Sequence, residues 1–374
     1  GSKNPTKYKD ATVFIQGMRR CAVSASERWI AALDCAIKLH QQDNREKAIE
    51  LIQKQYDLLN KPECDEDRIF ARNFTIPLQR VKGAFDRYKA GDTSVNKTMW
   101  DGFRSIFSKL HERMKHTDVV QLSKNSAELA SRRGYSICIP GTYSVDESSP
   151  LLDYIDEALQ VFATQQHPRC VIMYDTTGKS WKFLLKGNED LRLDQRIMQF
   201  FNLINSLLKS NRVTSKLGMS IAMYPVIPFA PNAGLISWVV GADTMHQLVS
   251  DYRQMRDISG ALETEITQRV ATNFNLLNAV QKLEVYNIVC DETKGDEVRE
   301  TLWLRSPTPS AWVEHSHTFT VSTALMSMSG YVIGLGDRHP SNIMIQRHTG
   351  RVIHIDFCDS FEVTRTRALF PELV

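Results

Sequence analysis

The sequence predicts an α+β protein in which a helical bundle is followed by a β-rich lobe and then a mainly helical lobe. Three observations carry that expectation. Residues up to about Lys115 hold apolar side chains at helical spacing, the texture changes after Gly134 to short runs rich in β-formers, and from Thr244 the chain is again helical through Met328.

The elements follow in order. In Trp29-Ile-Ala-Ala-Leu-Asp-Cys-Ala-Ile-Lys-Leu, the residues Trp29, Leu33, Ala36 and Ile37 fall on or near one helical face. Asp43 and Glu46 have capping-box spacing ahead of a second amphipathic helix ending at Leu59. A third is expected from about Glu66 to Lys89, stopping at Gly91-Asp92, and a fourth from Asn96 to Leu110. Four helices with short connections predict an up-down bundle over residues 10–115. Residues 116–133 are polar and read as a linker with room for one helix. Strands are expected at Tyr135–Ile139, Gln160–Ala163, Cys170–Tyr174 and Trp181–Lys186, then a helix from Asp194 to Lys209. Two further strands, around Ile221–Pro228 and Gly234–Val240, complete a β-rich lobe at 134–240. Residues 241–374 form the helical lobe.

At 374 residues the chain has room for two or three domains with sizeable cores. A net charge of +3 gives no global sign of a nucleic-acid binder. The seven cysteines include no Cys-x-x-Cys, and an odd count without ligand spacing reads as free thiols in a reducing compartment. The longest uncharged run that could suggest a transmembrane segment is broken by Pro225, Pro228 and Pro231, so none is expected.

The chemistry concentrates in Gly334-Leu-Gly-Asp337-Arg338-His339-Pro-Ser-Asn342 and the downstream His354-Ile-Asp356-Phe357, read as one strand–loop–strand unit. Phosphoryl transfer needs oxygen ligands for Mg²⁺ and a group that orients the attacking hydroxyl. Asn342 and Asp356 suit the metal and Asp337 the hydroxyl, while Arg338 or His339 suits developing negative charge. A charged turn between two buried strands is the plain alternative, and the Asn342 and Asp356-Phe357 spacing argues against it.

The Asp-Arg-His order reverses the His-Arg-Asp of ordinary protein kinases and, with its Pro-Ser-Asn tail, resembles the phosphatidylinositol-3-kinase-related kinases. Ile139-Pro-Gly-Thr-Tyr, the stretch from Phe183 to Asp194, Gly234-Leu-Ile-Ser-Trp238-Val and the stretch from Met326 to Asn342 extend the resemblance along the whole chain. With Trp29, Trp100 and an insertion near Leu283-Glu-Val-Tyr, they suggest an FRB-like (rapamycin-binding) four-helix bundle ahead of a bilobal kinase domain.

The resemblance implies an ATP- and Mg²⁺-dependent serine/threonine protein kinase acting on protein substrates in nutrient and growth signalling. It also implies a cytoplasmic location, peripheral to endomembranes within a larger complex. A catalytically silent scaffold and a related lipid kinase are the competing readings. On the family pattern Asp337, His339 and Lys186 are catalytic, and Asn342 and Asp356 hold metal. Glu189 or Asp194 partners Lys186, although Lys182 on the same strand is a rival to that lysine. Trp238 and the Val239 backbone meet adenine, Tyr224, Leu185, Met344 and Ile355 supply apolar walls, and the segment 163–168 covers the phosphates. The helical stretch 256–289 resembles an insertion that docks a WD40 β-propeller subunit.

Three departures from the family pattern stand out. Cys358 follows Asp356-Phe357 where the family has glycine, which would restrict the loop without removing a metal ligand. Trp100, Phe107 and Leu33 match the drug-binding surface, but Ile37, Gln41 and Arg104 replace serine, phenylalanine and tyrosine, so rapamycin-dependent binding of an FKBP-type partner is expected to be weak or absent. The sequence stops after Arg367-Ala-Leu-Phe-Pro-Glu-Leu-Val, inside what resembles the activation loop, so the helical lobe is expected to be truncated.

Overall fold

The computed structural model describes residues 4–144, 148–164 and 166–367; the end of the expected activation loop and Gln165 of the expected phosphate-covering segment lie outside them. The chain divides into two compact units, residues 1–195 with 225–238 and residues 196–224 with 239–374.

The first unit opens with α1 (Pro5–Ala22), a helix beyond the four expected, capped by the Asn4 side chain on the Lys7 amide. The bundle helices are α2 (Ala25–Gln41), α3 (Arg45–Leu59), α4 (Asp65–Lys89) and α5 (Asn96–Lys115). They enclose Trp29, Leu33, Ile52, Tyr56, Leu78, Phe85, Met99, Trp100, Phe103 and Leu110. A capping box starts α2, with the Glu27 amide donating to the Ser24 hydroxyl and the Ser24 amide to the Glu27 carboxylate. The box expected from Asp43 and Glu46 does not form. The tight turn after α2 puts Asp43 at φ +59, and the N-cap of α3 is Asn44 without a side-chain bond.

Residues 116–133 hold more than one helix: β1 (Val119–Gln121), α6 (Leu122–Asn125) and α7 (Ala127–Ser131). Then come β2 (Leu152–Ile155), β3 (Ala158–Val161), β4 (Arg169–Asp175) and β5 (Ser180–Gly187). After α8 (Arg192–Ser210) and α9 (Arg212–Lys216), β6 (Val226–Ala230) and β7 (Ala233–Ser237) return to the same sheet. Its strand order among the described residues is β1-β3-β4-β5-β7-β6, all antiparallel, with β2 also on β4. The strand expected at Tyr135–Ile139 is reduced to one bridge, Cys138 to Leu151.

Helix α1 seals this sheet. Its Phe14, Met18 and Cys21 share a core with Leu159, Val171, Phe183, Leu185 and Leu235. Burial pushes the Cys21 thiol up to about 12. The approach is close at Gly187, where an added Cβ would lie 2.1 Å from the Ala22 carbonyl oxygen. Because backbone must move to admit a methyl group there, Gly187→Ala is expected to cost about 2 kcal/mol or more, read as a lowered denaturation midpoint.

The second unit contains β8 (Ala242–Thr244), α10 (Met245–Met255), α11 (Leu262–Val270), α12 (Ala279–Glu292), α13 (Glu297–Leu304) and α14 (Pro309–Ile333). It continues with β9 (Ile343–Gln346), β10 (Val352–His354) and α15 (Val363–Thr366). A three-stranded antiparallel sheet runs β10-β9-β8, packed with Leu248 and Leu302. Arg253 on α10 pairs with Glu263 and Glu297, tying α10 to α11 and α13. No helix of the described residues is long and apolar enough to cross a membrane.

Candidate active site

The predicted site residues fall into two groups, one in each unit. In the first unit, the alternation of β5 decides which side chains share a face. Phe183 and Leu185 face the hydrophobic core, Leu185 with no exposure at all. Lys182, Leu184 and Lys186 occupy the opposite face, so the apolar neighbour on the lysine side is Leu184 and not the expected Leu185. An unbroken Phe-Leu-Leu run hides this register in the sequence.

Lys186 is buried and donates to Glu189 Oε1 at 3.0 Å. The second carboxylate oxygen of Glu189 is buried and makes no hydrogen bond among the described residues. Asp194 is buried in the first turn of α8. The rival Lys182 is committed elsewhere, with its ammonium 4.0 Å from the centre of the Trp238 ring. Trp238 directly follows β7, donates its amide to the Lys182 carbonyl and stacks on Phe162 with ring centres 5.9 Å apart. That leaves an aromatic platform at the strand end.

In the second unit the expected strand before Asp337 is instead the C-terminus of helix α14. Gly334 ends it at φ +57, with the Phe361 carbonyl 3.2 Å from where a Cβ would sit, so glycine is needed for both conformation and space. The loop then carries Asp337 at φ +58, and Asp356, after β10, sits at φ +62. Both carboxylates hang from left-handed backbone, which Asp tolerates better than most residues.

Arg338 holds the two segments together. Its Nε donates to the Gly336 carbonyl at 2.7 Å, Nη1 to the Ile355 carbonyl at 3.0 Å and Nη2 to the Asp356 carbonyl at 2.5 Å. The guanidinium is thereby spent on backbone carbonyls. Asn342 is buried and donates its amide nitrogen to the Asp337 carbonyl at 3.0 Å and to Asp337 Oδ2 at 3.2 Å. The amide of Ile355 donates to the Asn342 carbonyl at 3.0 Å. His339 Nδ1 accepts from the Ser341 amide at 3.2 Å, which puts the neutral ring's proton on Nε2, 3.8 Å from Asp337 Oδ2.

The Cys358 thiol donates to Asp356 Oδ1 at 2.8 Å. Cys358 lies outside the left-handed region that Asp356 and Phe361 occupy, so the backbone at 358 does not require glycine. Phe357 is fully buried, edge-on to Phe201 at 5.5 Å. Tyr224 is buried, Met344 pairs with Ile353 and Thr244 in the small sheet, and Val239 and Ile355 are half-buried. His354, half-buried near Arg338, is pushed down to about 4, chiefly by desolvation and then by that guanidinium's charge, and so adds no positive charge there near neutral pH.

Asp337, His339 and Asn342 thus lie on the loop after α14 and Asp356-Phe357 on the segment after β10, with Arg338 bonded to both. The phosphatidylinositol 3- and 4-kinase model matches residues 180–374, and the FKBP12-rapamycin binding domain model matches residues 17–112. The chain belongs to the phosphatidylinositol 3- and 4-kinase family, with an FRB domain ahead of the kinase region. Among named relatives it is similar to the serine/threonine-protein kinase TOR of Oryza sativa subsp. japonica, 35% identical over 95% of this chain and 14% of that protein. It is also similar to the mTor kinase of Drosophila melanogaster, 33% identical over 99% of the chain and 15% of the relative. The chain thus spans about one-seventh of the length of these relatives. The solved open conformation of CtTel1 shares the fold at a TM-score of 0.59 and 22% identity, covering 92% of this chain and 15% of that one.

Proposed function

We propose that the full-length protein is a target-of-rapamycin-type serine/threonine protein kinase, transferring phosphate from Mg²⁺–ATP to protein hydroxyl groups. The observation that carries this is the set Asp337, Asn342 and Asp356, whose two segments Arg338 joins through the Gly336, Ile355 and Asp356 carbonyls. Asp337 accepts or orients the substrate hydroxyl hydrogen, and His339, beside it, meets charge on the transferring group. Lys186, paired with Glu189, supplies a cation for the nucleotide phosphates. The donor set fits a hard cation: Asn342 spends its nitrogen on Asp337 and offers its amide oxygen, and Asp356 offers carboxylate oxygen. Bound Mg²⁺ would neutralise charge on the phosphates. Trp238 supplies the flat apolar surface for adenine.

The FRB match favours a protein kinase over a lipid kinase. The tolerated backbone at Cys358 weighs against a silent scaffold. The division into bundle (10–115), connecting segment (116–133), first lobe (134–240) and second lobe (241–374) belongs to the same reading, as do a cytoplasmic site of action and a larger complex. Docking of a WD40 propeller on 256–289 is supported by the exposed Leu276, Val280, Leu283 and Tyr286.

The test is phosphate transfer to a serine/threonine peptide panel by the full-length protein, wild type against Asp356→Ala. Transfer that vanishes in the variant supports the kinase. No transfer from a folded, ATP-binding wild type shifts the reading to a scaffold.

Drug-dependent FKBP binding is expected to be weak. Leu33 and Trp100 are buried, with His40 stacked on Trp100 at 4.9 Å, and Arg104 is exposed in a pair with Asp101. Titration calorimetry with FKBP and rapamycin should show no submicromolar ternary binding, and tight binding would contradict this.

A further inference from the structure

Arg169, the first residue of β4, is among the largest fully buried side chains, at 1% exposure. Its partner is Glu27 of α2, itself buried, from a bundle helix 142 residues away in sequence. Glu27 is doubly used, because the same carboxylate oxygen accepts the Ser24 amide at 2.7 Å in the capping box. The other arm of the guanidinium, Nη1, donates to the His167 carbonyl at 2.7 Å. His167 is held at φ +45, and its amide donates to the Thr164 carbonyl at 3.1 Å. Phe162, whose ring stacks on Trp238, closes the base of the turn by donating its amide to the Pro168 carbonyl at 2.9 Å. A continuous chain of charge-assisted and backbone hydrogen bonds therefore runs from the bundle to a β3–β4 turn that displays Thr164 and Gln166 to solvent.

A buried charge pair is costly to desolvate, and apolar residues of similar size would often serve stability as well. Its planar fork offers what an apolar pair cannot, a fixed direction at the His167 carbonyl. We propose that Glu27 and Arg169 are positioning residues through which the bundle sets the turn that contacts nucleotide phosphates. This inference rests on the kinase reading above and names a control point for that site. Whatever loads or displaces the start of α2 would change phosphate binding while leaving the adenine platform in place.

The test compares ATP with adenosine, which lacks phosphates, by equilibrium binding to the full-length protein with Mg²⁺ present. Glu27→Gln and Arg169→Lys should each weaken ATP about tenfold while adenosine changes less than about twofold. The double variant Glu27→Leu/Arg169→Met removes both charges together, which spares folding, and should show the same selective loss. ATP affinity unchanged in the folded double variant overturns the proposal, and so does parallel weakening of ATP and adenosine. A folded wild type that binds neither ligand overturns the kinase reading itself, an outcome distinct from both.

Discussion

Asp337→Asn is expected to lower kcat by about a thousandfold or more, with ATP affinity and the unfolding temperature close to wild type. The amide keeps an oxygen for the Asn342 side chain, and Asn accepts the left-handed backbone at φ +58 as readily as Asp. It lacks the basicity to take a hydroxyl proton. Asp337→Ala should abolish transfer as well, but with a stability cost of about 1 kcal/mol for a methyl side chain in that conformation. The Asn variant is therefore the cleaner probe. Turnover retained in Asp337→Asn, measured as single-turnover transfer to peptide, would remove Asp337 from the catalytic role.

Arg338→Ala should be the most damaging single change in the second unit. It strips the donor from the carbonyls of Gly336, Ile355 and Asp356 together. At about 1 kcal/mol or more for each acceptor left without its donor, the expected loss is about 3 kcal/mol. The loss reaches function because those carbonyls belong to Asp356 itself and to neighbours of Asp337 and Asp356. Arg338→Lys keeps the charge but not the fork, so it should restore part of the stability and little of the transfer. Denaturation midpoints and the Mg²⁺ concentration for half-maximal activity check the two effects separately. A stable Arg338→Ala protein with normal Mg²⁺ dependence would contradict the role.

The sequence made the bundle helices legible because their apolar residues repeat at helical spacing, and the site because its residue types are chemically unusual at that spacing. Helix α1 escaped notice although Asn4-Pro5 is a start signal and Phe14, Met18 and Cys21 recur at i, i+4 and i+7. Its partner is a sheet assembled from residues far downstream. The segment before Asp337 read as a strand because Tyr331, Val332 and Ile333 crowd its end, where a left-handed glycine closes a helix. The Arg338 clamp could not be found at all: its acceptors are backbone carbonyls, which every residue carries. Likewise, nothing in the sequence pairs Glu27 with Arg169, since each sits in an ordinary local pattern and only the tertiary packing joins them.

The seat of α1 against β5 has a consequence for how the chain is made. The bundle from α2 to α5 can close as soon as it leaves the ribosome. The apolar face of α1, with Phe14 and Met18, has its partners at Phe183, Leu185 and Gly187, about 165 residues later. At roughly 5–20 residues per second, that leaves α1 without its β5 partners for about 8–33 seconds of synthesis, with Leu122, Leu129 and Tyr135 of its core made sooner. During synthesis α1 thus carries a partly uncovered apolar face while the α2–α5 bundle that follows it is already folded, which makes this helix a natural point for chaperone attachment and for misassembly if elongation stalls.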